Sequence, residues 1–285
     1  MSRFDTIVMV DWSARSAPSP VKRTKDAIFI GMARDGRDAP PNYQRTRHCA
    51  MRCLTGLLDG ERRAGRRVLV GFDFPFGYPR GFARAVCGSD NPLALWAHLA
   101  DRITDDNRNR NNRFDVAEAL NALFHAPGPF WGCSAKRATA QMLFRKPDYA
   151  PFAFAERRKI ETELPRAKTT FQLLGNGSVG SQSLVGLPHL HALRQRYGDA
   201  LAVSPFQAPD APIVLAEIYP GLIDAAIKTR LRAGDILDAA QVRLVARAFS
   251  RLDPGHLDAL LRQGDREEGW ILGLGAEASL IDGID

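Results

Sequence analysis

The chain has 285 residues, of which 45% are hydrophobic and 25% charged. That composition provides enough apolar material for a sizeable core, and no apolar run approaches the roughly 18 residues of a membrane-spanning helix. Lys and Arg number 39 against 32 Asp and Glu, a net charge of +7, which favours nucleic acid or another nucleotide-like polyanion as partner. Cys49, Cys53, Cys87 and Cys133 have neither zinc-site nor Cys-x-x-Cys spacing and read as small core residues in a reducing compartment. The first residues run straight into a strand, which predicts no signal peptide and a cytoplasmic protein.

In chain order, Ile7 to Asp11 is a predicted strand, and the Ser-, Pro- and Lys/Arg-rich stretch from Ser13 to Lys25 a loop. Asp26 to Arg34 is a second strand, ended by the turn signal Asp35-Gly36, and Asn42 to Arg47 a short third. A helix of about 16 residues follows from Cys49, with Leu54, Leu57 and Leu58 on one face and Gly65 at its end. Val68 to Phe72 is the next strand. Residues 79–205 read as a large helical and loop insertion or cap between a first core segment, 1–78, and a second, 206–285. Helix-like stretches in the insertion are Val116 to Phe124 and Leu187 to Tyr197, and Pro205 to Pro212 is a linker. Ile213 to Ile218 is a strand. Val242, Val245, Phe249 and Leu252 form one face of the last long helix, and His256 to Arg262 and the stretch from Glu268 to Gly273 are small final elements.

Three strands carry a carboxylate at or near the C-terminal end: Asp11, Asp73 and Glu217. Asp235 and Asp238 lie seven and four residues before Val242, on the sheet-facing side of the last long helix near its start. Buried carboxylates are expensive without compensation, and a hard divalent cation with oxygen ligands is the simplest compensation. Taken singly, Asp11 or Asp73 also reads as a turn or cap residue, Asp235 as a helix cap, and Glu217 as the partner of an Arg or Lys.

The order of two or three antiparallel strands, helix, strand, insertion, strand and helix, with Val10-Asp11-Trp-Ser, Gly71-Phe-Asp73-Phe-Pro-Phe-Gly-Tyr-Pro, Glu217-Ile-Tyr-Pro and Asp235-Ile-Leu-Asp238-Ala, resembles an uncharacterised ribonuclease-H-like family, a domain of unknown function regarded as predicted nucleases. The resemblance covers the sheet-forming parts. It implies an α/β fold, a ribonuclease-H-like mixed sheet flanked by helices, with a large mainly helical insertion. It also implies Mg²⁺ or Mn²⁺ held by Asp11 as the central ligand, with Asp73, Glu217 and Asp238, and with Asp235 as a substitute for the last. The function implied is phosphodiester hydrolysis by a metal-dependent nuclease.

Other segments bear on the substrate. Arg108, Arg110 and Arg113 offer contacts to a phosphate backbone, and Lys136, Arg137, Arg157, Arg158 and Lys168 extend the basic region. Trp12, Phe130 and Trp131 offer stacking faces, against the plain alternative of core residues. Gly175-Asn-Gly-Ser-Val-Gly180 matches a dinucleotide pattern, but Gly186 and Pro188 argue against the long helix that pattern needs. It reads instead as a plain loop, or as a loop whose amides receive a phosphate. Two competing functions remain open. One is an actin-like or sugar-kinase-like phosphotransferase, for which Trp12 stands where glycine is expected; the other is a catalytically silent nucleic-acid-binding protein.

Overall fold

The computed structural model describes residues 4–125 and 127–285; the reading of the first residues falls in part on 1–3, outside that range. Six strands form one mixed sheet: β1 (Thr6–Asp11), β2 (Ile28–Arg34), β3 (Arg37–Gln44), β4 (Val68–Phe72), β5 (Leu201–Val203) and β6 (Ile213–Glu217). Their spatial order is β3-β2-β1-β4-β6-β5. β2 runs antiparallel to β1 and β3, whereas β1, β4, β6 and β5 are mutually parallel. Among the described residues there are ten α-helices: α1 (Arg47–Arg63), α2 (Phe82–Cys87), α3 (Pro92–Ala100), α4 (Arg113–Asn121), α5 (Lys159–Glu163), α6 (Gly180–Tyr197), α7 (Asp224–Lys228), α8 (Leu237–Arg251), α9 (Pro254–Leu261) and α10 (Glu277–Gly283). The chain is therefore α/β, and no described helix is long and apolar enough to cross a membrane.

The strands are apolar on both faces because both faces are covered, as parallel sheets require. Side-chain alternation sorts them. Ile7, Met9, Phe29, Leu69, Val214 and Ala216 face one layer, filled by Val242, Val245, Ala246 and Phe249 of α8. Val8, Val10, Ile28, Val68, Val70, Phe72, Ile213 and Leu215 face the other, with Leu54 and Leu58 of α1, Trp96 of α3, Leu120 of α4 and Leu184 and Leu187 of α6. Residues of the predicted insertion thus share one continuous core with the sheet.

The structure moves several predicted elements. β3 begins at Arg37 rather than 42 and contains Pro40 and Pro41, which an edge strand tolerates because no outer ladder bond is lost. Helix α6 starts seven residues before Leu187 and runs through Pro188. Gly186 does not break it: the glycine makes room for the Phe74 ring, which a Cβ would meet at less than 3 Å. Strand β5 and helices α2, α7 and α10, too short for periodicity to reveal, were not anticipated.

Gly31 of β2 lies beneath α8, where a Cβ would meet the Val242 backbone at less than 3 Å, whereas Gly56 on the exposed side of α1 has nothing within 4 Å. Gly31→Ala is expected to destabilise the chain by about 1–3 kcal/mol through overpacking. Gly56→Ala is expected to stabilise it by about 0.5–1 kcal/mol through helix propensity. Urea midpoints of the two variants against the wild type check both signs.

Candidate functional site

The parallel strands β1, β4 and β6 end at one edge of the sheet, the usual position for a ligand crevice in an α/β sheet. Here a cleft of about 640 Å³ opens, lined by Asp11, Asp73, Glu217 and Asp238, and on its other side by Arg15, Arg113, Arg166, Lys168 and the stretch from Gly175 to Gln182.

Register places the acids. Val10 pairs with Phe72 across β1 and β4, so the next residue of one and the next of the other, Asp11 and Asp73, stand side by side. Both belong to the alternation set that faces α8, as Ile7, Met9 and Leu69 do. One Asp73 oxygen accepts a 2.7 Å hydrogen bond from the Trp12 amide. The Asp11 carboxyl shares a hydrogen bond with that of Asp73, and its pKa is held well above the ordinary carboxylate value, first by burial and then by the charge of Asp73, with Asp238 and Asp26 adding to it. Burial likewise pushes Asp73 up, to about 6. Both residues retain some access to the cleft, yet dense surroundings make loss of solvent the largest cause for each.

Asp238 lies in the first turn of α8, where it accepts a 2.7 Å hydrogen bond from the Asp26 amide; burial raises its pKa above the usual carboxylate value. Asp235 precedes the helix, accepts from the Arg232 amide in an exposed turn and does not line the cleft.

Glu217 has a different environment. In β6 it pairs with Phe72, so Ile218, not Glu217, is level with Asp73. Glu217 alternates with Ile213 and Leu215, onto the face opposite α8. There Arg158 donates to its two oxygens at 2.7 and 2.8 Å, and the Phe76 amide donates at 2.9 Å. Arg158 is itself 1% exposed and also donates to Glu161 at 2.8 Å and to the Glu268 carbonyl at 3.1 Å. The charge of Glu217 is thus compensated within the protein.

The Asp73-Phe-Pro-Phe-Gly-Tyr-Pro motif is explained by what it touches. Phe74 and Phe76 are buried, and the Trp96 indole N–H donates to the Phe76 carbonyl at 2.7 Å. Gly77 lies against the Glu268 backbone, leaving no room for a Cβ. Glu268 accepts from the amides of Arg80 and Lys159, and Glu267 from the amide of Gly81, so the 267–268 segment clamps the motif in place.

The predicted substrate-side residues separate. Arg113 lines the cleft. Arg108 and Arg110 are exposed outside it, Arg110 pairing with Asp106. Lys136 is exposed, and Arg137 pairs with Asp115. The Trp12 ring is 2% exposed, packed against Phe72, Phe74 and His189 at centroid distances of 5.9, 6.0 and 5.5 Å, so its role at the cleft is carried by its backbone.

Sequence reasoning missed the support of the loop after β1. Buried Arg47 makes two 2.6 Å bonds to Asp105 and donates to the Ser13 and Arg15 carbonyls, while His189 bonds Asp105 at 3.0 Å. Asn109, buried with φ +66°, joins this network. The polar run from Asp105 to Arg113 is therefore partly a structural strut, and the Asn density was its one sequence signal, since Asn adopts positive φ more readily than most residues.

Among the described residues, no group of three or more His, Cys, Asp and Glu side chains is gathered closely enough to hold a metal ion. No protein-family model, no curated protein and no solved structure matches the chain.

An acid with a raised native pKa binds its proton more tightly when folded. The Asp11–Asp73 contact therefore costs least at low pH, and its cost grows as pH rises from about 4 through about 6. Without divalent ions, Asp11→Asn is expected to raise Tm at pH 8 by a few degrees, the scale of about 1 kcal/mol in a chain of this size, and to leave Tm near pH 4 unchanged. Equal shifts at both pH values would disprove the coupling. Glu217→Gln, which weakens a buried ion pair, is expected to cost about 3–5 kcal/mol in urea unfolding whether or not Mg²⁺ is present.

Proposed function

We propose that the chain is a divalent-metal-dependent nuclease that hydrolyses phosphodiesters on a ribonuclease-H-like core. The observation that carries this reading is the Asp11–Asp73 pair: two adjacent carboxyls at parallel strand ends, neither in an ion pair with Lys, Arg or His among the described residues. Like charges in contact disfavour ionisation, and a divalent cation between them removes that cost. The order β3-β2-β1-β4, with β2 antiparallel to its neighbours, supports the fold part of the reading.

The donor set fits a hard cation, since every candidate ligand is a carboxylate oxygen. Asp11 and Asp73 would hold Mg²⁺ or Mn²⁺, with Asp238 beside them. Mg²⁺ is commonly bound through one or two carboxylates, with waters and substrate phosphate completing its shell, which is the number of acids that stand side by side here. An ion there would polarise a phosphoryl oxygen and activate water.

The chain's own groups perform the positioning. The Trp12 amide fixes one oxygen of Asp73, and the Asp26 amide orients Asp238. The Arg158–Glu217 pair anchors the end of β6 beside them without adding net charge. The substrate class, nucleic acid or a nucleotide-like polyanion, is supported by the net charge of +7 and the cations of the opposite cleft wall. The phosphotransferase alternative is less favoured, because the turn after β1 holds a buried Trp12 where that chemistry needs an open glycine.

The test is cleavage of labelled single- and double-stranded DNA, RNA and hybrid with Mg²⁺, Mn²⁺ or EDTA. Metal-dependent cleavage is expected in the wild type. It is expected to fall roughly a thousandfold in Asp11→Asn and Asp73→Asn, about 4 kcal/mol of transition-state stabilisation. Absence of cleavage on every substrate by folded, ion-binding protein overturns the reading.

A further inference from the structure

The wall of the cleft facing the acids has an electrostatic conflict of its own. Helix α6 is 18 residues long and begins at Gly180, and Ser181 and Gln182 of its first turn line this wall. Its start carries the positive end of a helix dipole and amides without intrahelical acceptors. Gly180 donates to the Gln172 carbonyl, but the amides of Ser181 and Gln182 have no acceptor among the described residues. Against this positive end lies another positive group. Arg113 is 9% exposed and donates from Nε to the Ser181 hydroxyl at 2.9 Å. Its Nη1 donates to Ser16 and Asn111 at 2.9 and 2.7 Å. All these acceptors are neutral, Nη2 donates to no described atom, and the side chain lines the cleft.

An arginine nine-tenths buried, bonded to no carboxylate among the described residues and beside a helix N-terminus, is the reverse of the usual arrangement, in which buried charges are paired. Loss of solvent and then the nearby Arg47 lower the Arg113 pKa to about 10, with the charge of Asp105 acting against them, and the guanidinium lies over the Phe114 ring at 4.6 Å. Arg158 is the contrast: more deeply buried, it meets two carboxylates. At the mouth of the same wall stand Arg15, Arg166 and Lys168, exposed and without ion pairs among the described residues. The approach to the helix is the loop from Gly175 to Val179, in which Gly175 (φ +127°) and Gly177 (φ +71°) take backbone conformations that favour glycine.

We propose that Arg113, with the first turn of α6, forms a seat for a phosphate group, and that Lys168, Arg166 and Arg15 surround its entrance. The guanidinium supplies its Nη2 donors, the Ser181 and Gln182 amides supply donors along the helix axis, and the Ser181, Ser16 and Asn111 oxygens hold the rest of the Arg113 fork in place. Identifying the seat's occupant as a substrate phosphodiester rests on the nuclease reading. Phosphate binding itself does not.

The test is calorimetric titration of inorganic phosphate into the full chain at pH 7 and low salt, with and without Mg²⁺. Saturable binding is expected in the wild type. It is expected to weaken at least tenfold in Arg113→Gln, less in Arg113→Lys, about threefold in Lys168→Gln, and less than twofold in the exposed control Arg108→Gln. Absence of saturable binding overturns the seat. So does unchanged affinity in Arg113→Gln that keeps the wild-type circular dichroism spectrum. If Arg113→Gln does not fold, the exposed double variant Arg166→Gln/Lys168→Gln decides, and unchanged affinity there overturns the seat as well. Phosphate binding that responds to these substitutions, in a protein that cleaves no polynucleotide, would uphold the seat and reject the nuclease reading. Metal-dependent cleavage with phosphate affinity unaffected by them would do the opposite.

Discussion

Two carboxyls in contact at the ends of neighbouring parallel strands set the terms for this molecule. The pairing of β1 with β4 brings Asp11 and Asp73 together and cannot keep them apart without a change of register. A one-residue slip would turn every side chain of a strand onto the other face, so Val8, Val10, Val70 and Phe72 in the core hold the two acids where they are. The surrounding backbone accommodates them with donors rather than cations: the Trp12 amide for Asp73 and the Asp26 amide for Asp238. Among the described residues, neither Asp11 nor Asp73 is in an ion pair with a cation, while Asp238 has the charge of Lys25 nearby.

From that pair the cleft divides by sign. Asp11, Asp73 and Asp238 form the side toward α8, whereas Arg113, Arg166 and Lys168 line the side toward α6. Between them, Arg158, Glu161 and Glu217 form a buried group whose members largely satisfy one another. A buried ion pair adds little net stability compared with apolar packing, but leaving one partner alone is costly. The group therefore acts as a fixed joint between β6 and α5, with the two open charge sets on either side of it.

The α/β class, β1, β4 and β6, the main helices α1 and α8 and the placing of Asp11 and Asp73 at strand ends were legible from alternation and periodicity, because these elements are long or strongly apolar. The fate of Glu217 was not. Its sequence context, a carboxylate in an apolar strand, is the same whether it faces an ion or a guanidinium. Only the register Phe72 to Glu217 decides which face it takes. Its partner, Arg158, lies 59 residues away in a segment with no periodic signal. Gly186 and Pro188 argued against a helix on propensity, yet packing of Phe74 against Gly186 and the apolar face of Leu184, Leu187 and Leu190 override it. Asp235 and Asp238 are indistinguishable as acidic residues near a helix start; one turn of chain geometry sends one to the cleft and the other to solvent.

The clamp formed by Glu267 and Glu268 has a bearing on how the protein comes to exist in a cell. These residues hold backbone amides at Arg80, Gly81 and Lys159, positions made far earlier during synthesis. On a ribosome, β1 to β4 can pair while the remaining three-quarters of the chain is still to come. The amides of Arg80 and Gly81, just beyond the aromatic stretch that follows Asp73, must then wait for residues almost two hundred positions downstream before they find their acceptors. Such distant closures are slow and leave apolar surface uncovered in the interval. A nascent chain of this protein therefore carries its acidic strand ends early and its finished cleft last, which makes the interval before residue 268 emerges the period in which a chaperone has most to shield.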